Sequence, residues 1–211
     1  MDALTQLMSE IDIIKKIPLF SELEPKELEQ VKNIYLLRKY KKGQIIFIEG
    51  EPGEAVYFVK RGKIKIYKSD AEGREYILHI FGPGDIFAET VLLEGGPYPA
   101  SAEAVEDSMV GIIKNEDLEE LLKKKTDIAL KIMKILSNRL RESQEKLKNF
   151  VFRDTFDRTA CALHRMALDY GIKTPHGIEV ELPITRTELA AMVGTSRETV
   201  TRMLSEMKRK G

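Results

Sequence analysis

Residues 184–204 read ITRTELAAMVGTSRETVTRML, and this stretch predicts two short helices joined by a tight turn. Gly194 lies between the helices and can adopt the left-handed backbone conformation that such a turn requires. Two pairs of residues have the spacing of capping boxes and predict where the helices begin. These pairs are Thr185 with Glu188 and Thr195 with Glu198. The stretch therefore predicts a helix-turn-helix, with residues 193–195 between the two helices.

The second helix of this pair has one apolar face and one polar face. The apolar face can complete a small core between the helices. This core would contain Ala190, Val193, Val200 and Leu204. The outer face would present Ser196, Arg197, Thr199 and Arg202. In a major groove, Arg can bond guanine O6 and N7 together, and Glu198 can accept a hydrogen bond from cytosine N4. The alternative is a solvated helix in which Glu198 only caps the helix start.

Positive charge is concentrated at this end of the chain. The whole chain has 34 Lys and Arg against 34 Asp and Glu, which argues against a protein that coats nucleic acid indiscriminately. From Ile184 onward, six basic residues stand against three acidic ones, a formal charge of +3. A contact with a polyanion is therefore expected here, with Lys208 placed near the phosphates.

Upstream of this segment the chain predicts a helix, a turn and a strand. The helix is expected over about residues 155–170, and the turn involves Gly171 and residues 175–177. The short apolar strand IEVELPI follows at residues 178–184.

From about Tyr40 to Val110 the chain alternates short β-rich runs with glycine-containing turns. The runs are QIIFIEG, AVYFVK, KIKIYKS, YILHIFG, SAEAV and MVGII. This spacing predicts an antiparallel sandwich or barrel. In KIKIYKS the alternation predicts one wet face, with Lys63, Lys65 and Tyr67, and one buried face. The first forty residues predict short cap helices, with Pro25 in a first helical turn.

Between Asn115 and Phe152 the apolar residues recur with a helical period. They form a stripe through Met133, Leu136, Leu140, Ser143, Leu147 and Phe150. Two copies of this helix could pack along the stripe as a parallel dimer. The alternative is that the stripe packs only on the chain's own sandwich. Ser143, the polar member, either sets the register or touches a ligand.

The sequence resembles the CRP/FNR family of bacterial transcription regulators in two separate regions. Residues 184–204 match the family's helix-turn-helix. Residues 43–67, GQIIFIEGEPGEAVYFVKRGKIKIY, and 81–96, FGPGDIFAETVLLEGG, match its cyclic-nucleotide-binding-like sandwich. The resemblance implies an α+β fold with an N-terminal antiparallel β-sandwich or jelly roll, a long dimerisation helix and a C-terminal winged helix-turn-helix. The expected domains are an effector-sensing domain at 1–125, the dimerisation helix at 126–153 and the DNA-binding domain at 154–211.

The resemblance implies a sequence-specific DNA-binding transcription regulator that responds to a small effector. Carried onto the run SRETVTR, it implies Arg197, Glu198 and Arg202 as readers of a TGTGA half-site that is repeated inverted. The full set expected to contact DNA is Thr185, Thr195, Ser196, Arg197, Glu198, Thr199 and Arg202. Family members continue into a two-stranded wing after the recognition helix, whereas this sequence stops at Gly211. Either the sequence is truncated or the wing is absent, and backbone contacts would be fewer in both cases.

The resemblance also implies an effector pocket, but the nucleotide cassette departs from the family pattern. The family usually has a glycine and a glutamate after its Gly-Asp turn, and the corresponding stretch here is Gly84-Asp85-Ile86-Phe87-Ala88-Glu89. Glu89 is thus present as an acceptor for a ribose hydroxyl, whereas Pro99 and Ala100 stand where the family has an Arg-Ser clamp for the cyclic phosphate. Losing such a contact costs roughly 2–5 kcal/mol, so an effector other than cyclic AMP is expected. The expected pocket residues are Ala88, Glu89, Pro99, Ala100, Ser101, Arg139 and Ser143. Alternatively, Arg139 simply pairs with Glu89.

Composition and motifs disfavour several other functions. The single cysteine, Cys161, cannot supply the thiolates of an iron–sulfur cluster. The three histidines have no partner at a metal-ligand spacing, and His79 is interpreted as an ordinary strand residue. No nucleophile elbow, phosphate loop or metal motif indicates an enzyme. The remaining alternative is a cyclic-nucleotide-binding-like regulatory subunit without a DNA role, and the helix-turn-helix argues against it.

Partners and location follow from the same observations. No apolar run approaches the roughly 18 residues of a membrane span, and the start of the chain lacks the pattern of a secretory signal. A cytoplasmic protein without a membrane partner is therefore expected. The expected partners are double-stranded DNA, a second copy of the chain and, for an activator, RNA polymerase.

Overall fold

The computed structural model describes residues 14–15, 17, 20–21, 23–175, 177–180 and 184–210. The chain divides into two compact units. The first comprises the residues up to Tyr67 together with His79–Ser137, and the second comprises Lys68–Leu78 together with the residues from Asn138 onward. Within the described residues, the search for a helix long and apolar enough to cross a membrane finds none.

The first unit is built on an antiparallel β-sandwich, as predicted. Its strands are β1 (Tyr35–Tyr40), β2 (Ile45–Phe47), β3 (Ala55–Arg61), β4 (Ile64–Ser69), β5 (Glu75–Phe81), β6 (Ile86–Phe87), β7 (Ser101–Ala104) and β8 (Ser108–Lys114). One sheet has the order β1-β8-β3-β6, and the other has the order β2-β7-β4-β5. Strands β4 and β5 continue into the hairpin of residues 68–78. Aromatic rings fill much of the sandwich interior, with Phe47 stacked on Tyr98 at 3.9 Å between ring centroids.

The prediction that one face of β4 is exposed to solvent is wrong. Lys65 is only 5% exposed, and Tyr67 is also buried. The Lys65 ammonium lies 3.3 Å from the Glu103 carboxylate and 4.7 Å from the centre of the Tyr67 ring. These two contacts replace interactions with water that the ammonium loses when it is buried. The alternation of residue types could not reveal them, because Glu103 comes from the neighbouring strand β7.

The helices of the first unit are partly as predicted. Helix α1 (Pro25–Ile34) begins at Pro25, but the residues after it form the strand β1, where only cap helices were expected. A one-turn helix α2 (Thr90–Glu94) follows Glu89. The helical segment from Asn115 is two helices, α3 (Asn115–Lys124) and α4 (Thr126–Phe152), because Lys125 leaves the helical conformation, with φ −132° and ψ 84°.

The apolar residues of α4 are divided between a core and an exposed stripe. Ile128 and Ile132 are buried in the core of the first unit, and Leu136 packs against that core. The exposed members of the stripe are Met133, Leu140, Leu147 and Phe150. Of the stripe residues, only Leu136 therefore packs on the chain's own sandwich, as the alternative expects.

The second unit holds the C-terminal elements. They are α5 (Thr155–Tyr170), β9 (Gly171–Thr174), β10 (Gly177–Val180), α6 (Arg186–Val193) and α7 (Arg197–Lys210). Helix α5 has the bounds that the sequence predicts. The predicted strand IEVELPI begins as β10, and residues 181–183 lie outside the described residues. Strand β9, which the sequence does not predict, pairs antiparallel with β10. This pairing provides hydrogen bonds for the main chain after α5.

Candidate nucleic-acid interface and effector site

The start of α6 is fixed by the predicted capping box. The Thr185 Oγ1 accepts a hydrogen bond from the Glu188 main-chain N–H at 3.1 Å. In return, the Glu188 carboxylate accepts from the Thr185 main-chain N–H at 2.6 Å. Both residues satisfy N–H groups that a helix start leaves without a partner. The capping box at Thr185 and Glu188 is therefore confirmed.

The turn after α6 depends on Gly194, also as predicted. Gly194 has φ 73° and ψ 51°, in the left-handed region that favours glycine. The Thr195 N–H donates to the Ala190 carbonyl at 3.0 Å, which closes the end of the helix. Val193 is the last residue of α6, so the turn consists of residues 194–196 rather than 193–195.

The second predicted capping box is wrong, because α7 begins one residue later than expected. The Ser196 Oγ accepts a hydrogen bond from the Thr199 N–H at 3.2 Å, so Ser196 caps the helix and Thr195 does not. Hydrogen bonds from its own main-chain N–H and from the Ser196 hydroxyl lower the pKa of Glu198. Glu198 is therefore ionised at neutral pH, and its carboxylate oxygens act only as acceptors.

A small core holds α6 and α7 together against α5. Its buried residues are Met166, Leu189, Ala190, Val193 and Val200, and Leu204 packs against them half-buried. This confirms the predicted core between the two helices. At its far end, α7 is held by Lys210, whose ammonium lies 2.8 Å from the Glu206 carboxylate and 4.6 Å from the centre of the Phe156 ring on α5. The position of α7 is thus fixed at both ends.

The outer face of α7 presents polar and charged side chains. The exposed residues are Ser196, Arg197, Glu198 and Arg202, while Thr195 and Thr199 are half-buried. Glu198 and Arg202 lie about one helical turn apart, so the carboxylate and the guanidinium share one side of the helix. Thr185 is exposed at the start of α6, where its hydroxyl bonds Glu188. This arrangement can place a bidentate donor and a charged acceptor against base edges.

The effector cassette lies between β6 and β7 in the first unit. Glu89 is 3% exposed, and Ala100 and Ser101 are buried, whereas Pro99 is exposed. The Ser101 Oγ accepts a hydrogen bond from the Glu49 N–H at 3.0 Å. Residues 84–101 contain no Lys, Arg or His, so the cassette itself offers no cation to a phosphate.

The two other predicted pocket residues, Arg139 and Ser143, lie on α4 in the second unit. Arg139 is half-buried and Ser143 is exposed. His79 lies on β5, as predicted, with its ring 4.4 Å from the Phe81 ring. The described residues contain no group of three or more His, Cys, Asp or Glu that could hold a metal ion.

Two features of these sites were missed from the sequence. Ala88 adopts φ 62°, a left-handed conformation that L-residues with a Cβ rarely take. The sequence signal for this left-handed conformation is the glycine that the family has at this position of the cassette. The second feature is the set of contacts that Arg158 makes at the end of α6, which no residue spacing indicates.

Comparison with known proteins identifies the chain's family. The family model for the cyclic nucleotide-binding domain matches residues 37–125, and the Crp-like helix-turn-helix domain matches residues 157–211. A cyclic AMP receptor protein from Thermus thermophilus is 34% identical over 198 residues, which cover 94% of this chain and 88% of the relative. An anaerobic regulatory protein from Bacillus subtilis is 31% identical over 184 residues, covering 87% and 77%.

Solved structures agree with this assignment. FixK2 from Bradyrhizobium japonicum has a TM-score of 0.75 and 28% identity, with 84% of this chain and 86% of that chain covered. The catabolite activator protein of Thermus thermophilus has a TM-score of 0.58 and 34% identity, with 92% and 88% covered. The chain belongs to the CRP/FNR family of bacterial transcription regulators, and its C-terminal part is a helix-turn-helix DNA-binding domain.

Proposed function

We propose that this regulator acts as a homodimer, binds an inverted repeat of TGTGA-like half-sites through α7, and responds to a small effector other than cyclic AMP. The observation that carries the proposal is the outer face of α7, where Arg197, Glu198 and Arg202 are all exposed in the first turns. Side chains in the first turns of a recognition helix are the ones that reach base edges in the major groove.

Each of the three charged residues has a chemical role in this proposal. Arg197 and Arg202 would each donate two hydrogen bonds to a guanine, and Glu198 would accept one from a cytosine N4 amino group. The lowered pKa of Glu198 supports this role, because a protonated carboxyl group would offer a donor toward an amino group that is itself a donor. We expect the surrounding hydroxyl residues to position α7 on the phosphates. They are Thr185, Thr195, Ser196 and Thr199.

A dimer of this protein would explain why the proposed DNA site is an inverted repeat. Two copies joined by α4 carry two recognition helices, and such helices read half-sites about 34 Å apart, one turn of DNA. The exposed apolar stripe supports this assembly, because Leu140 alone is 60% exposed on the single chain. An effector would act by favouring the dimer with this spacing. If the bound dimer activates transcription, RNA polymerase is the expected second partner.

The lack of a cation in the cassette supports an effector without a cyclic phosphate. A phosphate in residues 84–101 would meet acidic residues only, namely Asp85, Glu89 and Glu94. An uncompensated phosphate next to carboxylates is unfavourable by both charge and desolvation. The Thermus thermophilus relative is named a cyclic AMP receptor protein. This chain is similar to it in sequence but has Pro99 and Ala100 where the Arg-Ser clamp is expected.

Selection from random double-stranded DNA tests the DNA-binding part of the proposal. The purified protein should enrich an inverted repeat of TGTGA-like half-sites. Absence of an enriched sequence, or enrichment of a single unrepeated site, would refute it.

Native mass spectrometry of freshly purified protein tests the effector part, because a co-purified small molecule would be identified by its mass. Recovery of bound cyclic AMP would overturn that part.

A further inference from the structure

Arg158 lies at the joint between α4, α5 and the helix-turn-helix. Its Nε donates a hydrogen bond to the Val193 carbonyl at 3.2 Å, and its Nη1 donates to the Arg153 carbonyl at 3.1 Å. The centre of the guanidinium lies 4.9 Å from the centre of the Phe150 ring. One half-buried side chain in the first turn of α5 thus contacts the end of α4 and the end of α6.

The Val193 carbonyl lies at the C-terminal end of a helix, where a cation is electrostatically favoured. Val193 is the last residue of α6, and the last carbonyls of a helix have no main-chain partner within it. These carbonyls also form the negative end of the helix dipole, which favours a cation. The next residue is Gly194, whose left-handed conformation directs the chain into α7. Arg158 therefore fixes the main chain immediately before the turn.

Phe150 joins the same cluster from α4. A Cβ built on Gly194 would lie 3.3 Å from the Phe150 Cε2, so the ring and the turn are already in close approach. The face of the ring receives the Arg158 guanidinium, a geometry that attracts a cation to the ring. Phe150 was predicted only as a member of the dimer stripe. Within the second unit its ring also connects α4 with the turn.

We propose that Arg158 is a positioning residue for DNA reading, which sets the orientation of α7 relative to the end of α4. The inference rests on the proposed DNA-binding function and extends it to a residue outside the reading face. A lysine in its place would keep the charge, but it would lose the planar fork that bonds two carbonyls and lies over the Phe150 ring. Arg158→Lys therefore separates the positioning role from the charge.

The test compares two arginines of the same helix in the full chain. Arg165 serves as the control, because its Nε bonds the Asp169 carboxylate at 2.9 Å and its Nη2 bonds the Glu142 carboxylate on α4, about two turns farther along α5. It therefore joins α5 to α4, as Arg158 does, but neither of these bonds is to a carbonyl at the end of α6. Affinity is measured for the selected inverted repeat and for random DNA at one salt concentration. Arg158→Lys should weaken binding to the repeat about five- to tenfold and leave random DNA within about twofold. Arg165→Lys should leave both affinities within about twofold.

Hydrogen exchange provides a second readout that a general loss of stability would not reproduce. In Arg158→Lys, the amides of Gly194 and Thr195 should exchange faster while those in the middle of α5 and α7 keep their protection. Wild-type affinity of Arg158→Lys for the repeat, or an equal loss in Arg165→Lys, would overturn the inference. A wild-type protein without any sequence preference would instead refute the proposed function, and unchanged exchange at the turn would then refute the inference separately.

Discussion

The recognition helix and the effector cassette of this chain keep their family patterns to different degrees. In α7, the three residues that match the family's base readers are present and exposed. In the cassette, we infer that Pro99 and Ala100 stand in place of the family's phosphate clamp and that Ala88, with φ 62°, stands in place of a glycine. The two regions have separate hydrophobic cores, so a change of residue in one does not require repacking in the other. A recognition helix needs a few side chains on a solvent face, whereas a ligand site must also fit a packed interior.

We propose that DNA reading requires a dimer, and the dimer stripe should therefore show the greatest change on substitution. Leu140→Glu would place a carboxylate in the apolar seam and should cost several kcal/mol of association free energy. Sedimentation at tens of micromolar should show a dimer for the wild type and a monomer for this variant. Leu93→Glu is the matched control, because Leu93 is similarly exposed, at 59%, but lies on α2. A monomeric wild type, or an unchanged dimer in Leu140→Glu, would contradict the proposed assembly.

The next largest effect concerns the cassette and cyclic AMP. Without a cation among residues 84–101, calorimetry should detect no cyclic AMP binding tighter than about 100 micromolar, which corresponds to about 5.5 kcal/mol. Restoring the family pair in the double variant Pro99→Arg with Ala100→Ser should strengthen binding by at least about thirtyfold, which corresponds to about 2 kcal/mol. Low-micromolar binding by the wild type would show that another part of the chain holds the phosphate.

The reading face should produce a smaller effect that is restricted to specific DNA. Arg197→Ala or Arg202→Ala should each cost about 1–3 kcal/mol on the selected inverted repeat, because each would remove a bidentate contact to a guanine. Affinity for random DNA should change little. Equal losses on both kinds of DNA in a fluorescence binding assay would show that these residues contact phosphates instead.

Lys208→Ala is the control for this comparison. Lys208 is exposed near the end of α7, and we place it near the phosphates. Its removal should weaken specific and random binding alike and reduce the salt slope by about one. A loss restricted to the inverted repeat would assign base reading to Lys208.

The smallest energetic effect is expected at Ala88. Its left-handed conformation costs about 1–2 kcal/mol for a residue with a Cβ, and glycine removes this cost while adding freedom to the unfolded chain. Ala88→Gly should therefore raise the free energy of unfolding by about 0.5–1 kcal/mol. Denaturant unfolding followed by near-UV circular dichroism of the buried tyrosines measures it. Ala102→Gly in β7, which is buried on a strand, should lower it instead. Destabilisation in both variants would show that the Ala88 methyl group is needed for packing.

The sequence predicted most of the fold because the fold depends on local patterns. Glycine-bounded β-rich runs indicated the sandwich, and Thr185 with Glu188 indicated the start of α6. The errors arose where a distant residue decides the outcome. The burial of Lys65 depends on Glu103 from another strand, and the bond from Arg158 to Val193 joins residues 35 positions apart. The start of α7 was misplaced by one residue, because Thr195 and Ser196 are both good caps and only the backbone distinguishes them.

Glu198→Gln decides whether the exposed face of α7 reads bases. Glutamine keeps the size of the side chain but removes the charged acceptor that would bond a cytosine amino group. Ser196 still caps α7 in this variant, so the melting temperature should fall only by about 1–4 degrees, as expected from losing the exposed carboxylate at the helix start. Selection from random DNA should then show a relaxed preference at one base pair of each half-site. A lower melting temperature with an unchanged base preference would show that Glu198 only stabilises the helix start.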